Sequence, residues 1–162
     1  MTTTTITMPL TISGSSSDIA NFITNQREKS YELLQESYAL GLVAKGVFRQ
    51  LDEVFEECFF GGWDGANAKP ILAETLQSAR IFLKSLPLGI EPPDVGAEPD
   101  GAITLEWYKS SNKVISISIN PSGWLYFAAI IGTKRRHGKD FVLLDVSEDL
   151  LELISQITGK AG

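Results

Sequence analysis

The chain has 162 residues, 43% hydrophobic and 21% charged, a composition that fits a globular protein and excludes a wholly disordered one. Fourteen Lys and Arg against twenty Asp and Glu give a net charge of −6, which disfavours a uniformly cationic nucleic-acid binder. One Cys and one His exclude a disulfide framework and any Cys/His zinc site within one chain.

The chain opens on a Thr- and Ser-rich tract, and no Lys or Arg precedes Arg27. The basic start and apolar middle of a secretory signal are both missing. Such a tract buries too little apolar surface to offset its ordering entropy, so residues 1–15 read as a disordered or loosely attached tail. The longest apolar run, Trp124 to Ile131, is eight residues, far short of a membrane span. The expectation is a cytoplasmic protein with a reduced thiol and no membrane partner.

From Asp18 to Phe59 apolar residues recur at helical spacing, among them Phe22, Leu34, Tyr38, Phe48, Leu51 and Phe55. Ser16 or Ser17 can cap the start. Gly41 and Gly46 each weaken a helix by about 1 kcal/mol relative to Ala. The spacing therefore predicts a helical arm over residues 16–60, either broken near 39–46 or continuous for about 40 residues. Gly61-Gly62 ends it. A loop leads to Pro70, and the next helix is predicted over 72–85, stopped by Pro87. Pro92, Pro93 and Pro99 make residues 87–100 an extended connector, with room for a short edge strand at 94–97.

Strand patterns follow at 102–108, 114–120, 124–131 and 141–144, separated by Gly-, Ser- and Asn-rich turns. Residues 133–140 read as a charged loop. Short turns predict an antiparallel meander of three to four strands. Ser147 is expected to cap a last helix, with Glu148 and Asp149 in its first turn. Helices grouped before and after a run of strands give an α+β fold, with residues 61–162 as its core.

Two segments carry a resemblance. They are Trp63-Asp64-Gly65-Ala66-Asn67-Ala68-Lys69-Pro70 and Pro99-Asp100-Gly101-Ala102-Ile103-Thr104-Leu105-Glu106-Trp107, with a helix ending in Leu86-Pro87 between them. This arrangement resembles a group of small bacterial proteins with a Trp-Asp-Gly…Ala-x-Pro loop and a Pro-Asp-Gly-x-Ile-x-Leu-Glu-Trp strand. The resemblance covers roughly residues 50–158. It implies a shared fold and a bacterial or phage origin, and brings no activity, cofactor or catalytic residue with it.

The candidate sites each have a plain structural reading beside the functional one. Asp64 serves an Asx-type turn or, with Asp100 and Glu106, holds a metal for a small hydrolase. Glu106 and Tyr108 lie on a solvated sheet face or on a binding face shared with Ser116 and Ser118. Lys134, Arg135, Arg136 and Lys139 give residues 133–140 a net charge of +3, leaving −9 on the rest of the chain. They form a solvated loop or a small nucleic-acid contact. Cys58 falls on the apolar helix stripe and reads as buried rather than reactive. His137 has no Ser or Cys nucleophile near it in sequence.

A continuous arm of about 40 residues would run about 60 Å, longer than a small sheet can cover. Its apolar stripe then needs another chain. The leading expectation is a non-enzymatic interaction module without cofactor or catalytic residue. It would bind a protein partner or a second copy as a homodimer, through Phe22, Tyr31, Tyr38, Phe48, Glu106 and Tyr108. An inhibitor, antitoxin or immunity role in a bacterial or phage conflict system is the expected setting. The alternatives are the nucleic-acid module and the metal-dependent hydrolase.

Overall fold

A computed structural model describes residues 45–142 and 146–159. The chain divides into two compact units, residues 1–39 and 40–162. The predicted tail, the front of the helical arm and the question of a break near 39–46 lie outside the described residues, as do Phe22, Tyr31 and Tyr38. In the second unit, α1 occupies residues 45–57 of the described chain. There follow α2 (Ala73–Ser85), β1 (Asp94–Ala97), β2 (Ile103–Ser110), β3 (Lys113–Ile119), β4 (Trp124–Ile131), β5 (Lys134–Phe141) and α3 (Glu148–Thr158).

The fold is α+β, as expected. The five strands lie in the order β1-β2-β3-β4-β5 and every pair is antiparallel, a simple meander. Residues 134–141, read as a charged loop followed by a strand at 141–144, are instead one full strand. Nothing in their composition favours a strand, but β4 offers a complete ladder of unpaired backbone groups. Every residue of β5 finds a partner there, from Ile131↔Lys134 to Trp124↔Phe141. The central Gly138 is tolerated because the Phe127 ring lies over it; a Cβ at Gly138 would come within 2.6 Å of that ring.

Alternation decides which sheet face is covered. Ile103, Leu105 and Trp107 of β2 and Ile115, Ile117 and Ile119 of β3 point inward and are buried. Leu125 and Ala129 of β4 continue the layer. Against it sit Phe82 and Ala79 of α2 and Leu150, Ile154 and Ile157 of α3, all in one core cluster. Both helices pack on β2 and β3. Val47 and Leu51 of α1 belong to the same cluster, so from residue 45 the helix assigned to an arm is part of the core. Asp52 of α1 is ion-paired with Arg80 of α2.

The two segments that carry the resemblance fold against each other. Lys69 N–H donates to the Pro99 carbonyl at 2.8 Å, and a Cβ on Gly101 (φ +91°) would meet the Pro70 carbonyl oxygen at 2.9 Å. Glycine at 101 is therefore required by both dihedral and space. Trp107 Nε1–H donates to the Glu91 carbonyl at 2.7 Å and Lys109 is ion-paired with Glu91, which pins the Pro-rich connector to β2.

α3 starts without the expected cap: Ser147 makes no side-chain cap bond. Asp140 holds this end, its Oδ2 accepting from Ser147 N–H and its Oδ1 from Phe141 N–H, both at 2.8 Å. At the far end Gly159, in the left-handed region, donates its N–H to the Ser155 carbonyl.

Candidate functional site

In antiparallel ladders, residues directly opposite each other share a face. The registers therefore define the outer face of the sheet row by row. One row reads Gly96, Thr104, Ser118, Tyr126, Lys139; the next reads Asp94, Glu106, Ser116, Ala128, His137. A third carries Tyr108, Val114, Ile130 and Arg135, and a fourth pairs Trp124 with Phe141. No described helix packs on this face. Tyr108, Tyr126 and Trp124 stand 59%, 49% and 39% exposed on it.

Cross-strand pairing brings aromatic and basic residues together. Lys139 Nζ lies 5.0 Å from the centre of the Trp124 ring, within cation–π range, and Trp124 meets Phe141 edge to face at 5.1 Å. The sequence showed the basic residues without interleaved aromatics, because the aromatics come from the neighbouring strand. Their signal was the run Trp124–Ile131: with one sheet face open, every second residue of an uninterrupted apolar strand must be exposed.

β5 also splits the basic cluster. Arg135, His137 and Lys139 share the outer face, while Lys134 and Arg136 pair with Ile131 and Ala129 on the inner one. There they line a groove of about 410 Å³ between β5 and α3, floored by Phe127, Ile131 and Leu153 and bounded across by Asp149 and Glu152. Among the described residues Lys134, Arg135, Arg136 and Lys139 form no ion pair.

Two of the three carboxylates of the hydrolase alternative, Asp64 and Asp100, are occupied by backbone N–H groups. Asp64 Oδ1 accepts from Ala66 N–H at 2.9 Å and Ala68 N–H at 3.1 Å, the Asx-type role. Trp63 Nε1–H closes the same loop on the Lys69 carbonyl. Asp100 Oδ1 accepts from Ala102 N–H at 3.0 Å. Glu106 lies out on the open sheet face. Among the described residues no group of three His, Cys, Asp or Glu side chains is placed to hold a metal.

Cys58 is buried, and burial first, with the nearby Glu57 charge second, pushes its thiol above the usual range. That environment disfavours the nucleophilic thiolate. Phe48 is half-buried against the core cluster rather than presented outward. Of the six residues expected to bind a partner, Glu106 and Tyr108 fall together on the outer face. Sequence reading missed Trp124, Tyr126 and Phe141 beside them.

No protein-family model, curated protein or solved structure matches the chain. Among the described residues no helix is long and apolar enough to cross a membrane.

Proposed function

We propose that the chain is a non-enzymatic interaction module that uses the outer sheet face to bind a protein partner, a second copy included. One observation carries this reading: three large aromatic side chains, Tyr108, Trp124 and Tyr126, stand exposed on a single sheet face that no described element covers. Aromatic residues at such positions supply contact area at low entropic cost, and tyrosine and tryptophan dominate binding hot spots. An inhibitor, antitoxin or immunity role is the setting into which a small acidic module of this kind fits. The test compares the wild-type chain with Tyr108→Ser, Trp124→Ser and Tyr126→Ser combined, by light scattering and by co-purification at native expression level. The wild type should carry an associated polypeptide, its own copy or another, that the triple variant loses. Identical behaviour of the two defeats the reading.

A second reading is favoured by the contact of Lys139 with Trp124 beside Tyr126, since base stacking on aromatics flanked by cations is how single strands are held. It places Arg135 and Lys139, which share that face, against phosphates, and leaves Lys134 and Arg136 on the opposite one. Binding of a labelled oligonucleotide should then weaken with salt and on Arg135→Glu with Lys139→Glu. No retention at low salt removes it. Asp94 and Glu106 on the same face weigh against it.

A further inference from the structure

We infer that the partner on the outer face is a second copy of this chain, related by a two-fold axis running along β3. The inference rests on the interaction reading above and names its partner.

The two flanks of the face differ in size and in charge. On β1 and β2 the outward residues include Asp94, Gly96, Thr104 and Glu106. Glu98 is drawn to the same flank by the hydroxyl of Thr104, which donates to its carboxylate. On β4 and β5 they include Trp124, Tyr126, Arg135, His137 and Lys139. The axial strand β3 contributes the small Ser116 and Ser118. One flank is acidic and, Tyr108 apart, small; the other is basic and carries Trp124, Tyr126 and Phe141.

A half-turn about β3 exchanges the flanks between copies while leaving each row in place. Tyr126 of one copy then falls over Thr104 of the other, Lys139 over Gly96, and His137 over Asp94, because each pair occupies one row. Tyr108 falls over Ile130 in the same way. Tyr126 then covers the small Thr104 and His137 the acidic Asp94, while Arg135 and Lys139 approach the acidic flank as a whole, and the symmetry makes each contact twice. The strands of the two sheets stay aligned, the arrangement of face-packed sandwiches, with sheets about 10 Å apart.

Other self-pairings set like charges together. A half-turn about an axis across the strands stacks β5 on β5. Joining the sheets edge to edge along β5 does the same, opposing two segments of net +3 each. Charge complementarity therefore selects the axis along β3. It also gives the cations on the β5 edge a part in rejecting the wrong pairing.

The test is a charge exchange on the full chain, read by sedimentation velocity at high micromolar concentration. The wild type should sediment as a dimer. Asp94→Lys with Glu106→Lys makes both flanks basic, and Arg135→Glu with Lys139→Glu makes both acidic. Each double variant should raise the dimer Kd at least tenfold. Mixed in equal amounts they should return to dimer size, since each then meets the opposite charge on both flanks. If a double variant does not fold, Asp94→Lys and Lys139→Glu repeat the experiment singly. A monomeric wild type, variants that stay dimeric, or a mixture that stays monomeric overturns the inference. A monomeric wild type that still co-purifies with a different protein through the aromatic residues overturns the self-pairing and leaves the interaction reading standing.

Discussion

Gly101 joins the two motif segments, and its role is steric. Its φ of +91° is one that L side chains rarely adopt, and a Cβ would press on backbone rather than on a movable side chain. Gly101→Ala should destabilise the protein by about 1–3 kcal/mol, seen as a lower urea midpoint with unchanged slope. Gly46, in α1 with nothing near its missing Cβ, should behave oppositely. Gly46→Ala should stabilise by about 0.5–1 kcal/mol in the same titration. Cys58 gives a third residue-level outcome. Burial and the Glu57 charge both hold the thiol protonated. Its labelling by a disulfide reagent at pH 8 should be at least about tenfold slower in the native protein than in urea. Equal rates would show that the helix end at residue 58 opens freely.

At the level of elements, α1 and α3 are fastened in different ways. α1 is held by burial: Leu51 is fully buried in the core cluster. Leu51→Ala should cost about 2–5 kcal/mol, measured by thermal melting. A loss under 1 kcal/mol would return this helix to a peripheral arm. α3 is held at its start by a charge. Burial pushes the Asp140 carboxyl up, but the hydrogen bonds from Ser147 and Phe141 together outweigh it and leave its pKa lowered. A lowered native pKa means the folded state binds fewer protons than the unfolded one, so this stabilisation is present at neutral pH. It is complete above the ordinary carboxylate pKa of about 3.9 and is lost as pH falls through the lower native value. Asp140→Asn should therefore cost about 1 kcal/mol at pH 7, modest because the group is partly exposed, and should melt with a shallower pH dependence below about pH 4.

For the whole molecule, the decisive feature is a sheet with one face buried and the other covered by no described element. The helices cover β2 and β3 from one side, and the opposite face carries charge of both signs on separate flanks. Because α1 belongs to the core, a fragment spanning residues 40–162 should unfold cooperatively, whereas one spanning 61–162 should not. Circular dichroism melts of the two fragments decide this, and a cooperative melt for the shorter one would detach α1 from the core.

Local pattern was enough for much of this. The helix over 73–85 follows from its apolar spacing and flanking prolines, and β2 and β3 follow from strict alternation between two turns. The inward residues Ile103, Leu105, Ile115 and Ile117 follow from that same alternation, as does the turn role of Asp64 from its short side chain beside Gly65. Residues 134–141 could not be read this way, because a strand so rich in cations forms only when a neighbouring ladder supplies its hydrogen bonds. The same pairing set Lys139 beside Trp124 and put Arg135 and Arg136 on opposite faces. Short-range periodicity writes each element's own burial into the chain. Which side chains meet across strands is a matter of register, and register is a contest among distant segments that no single segment records.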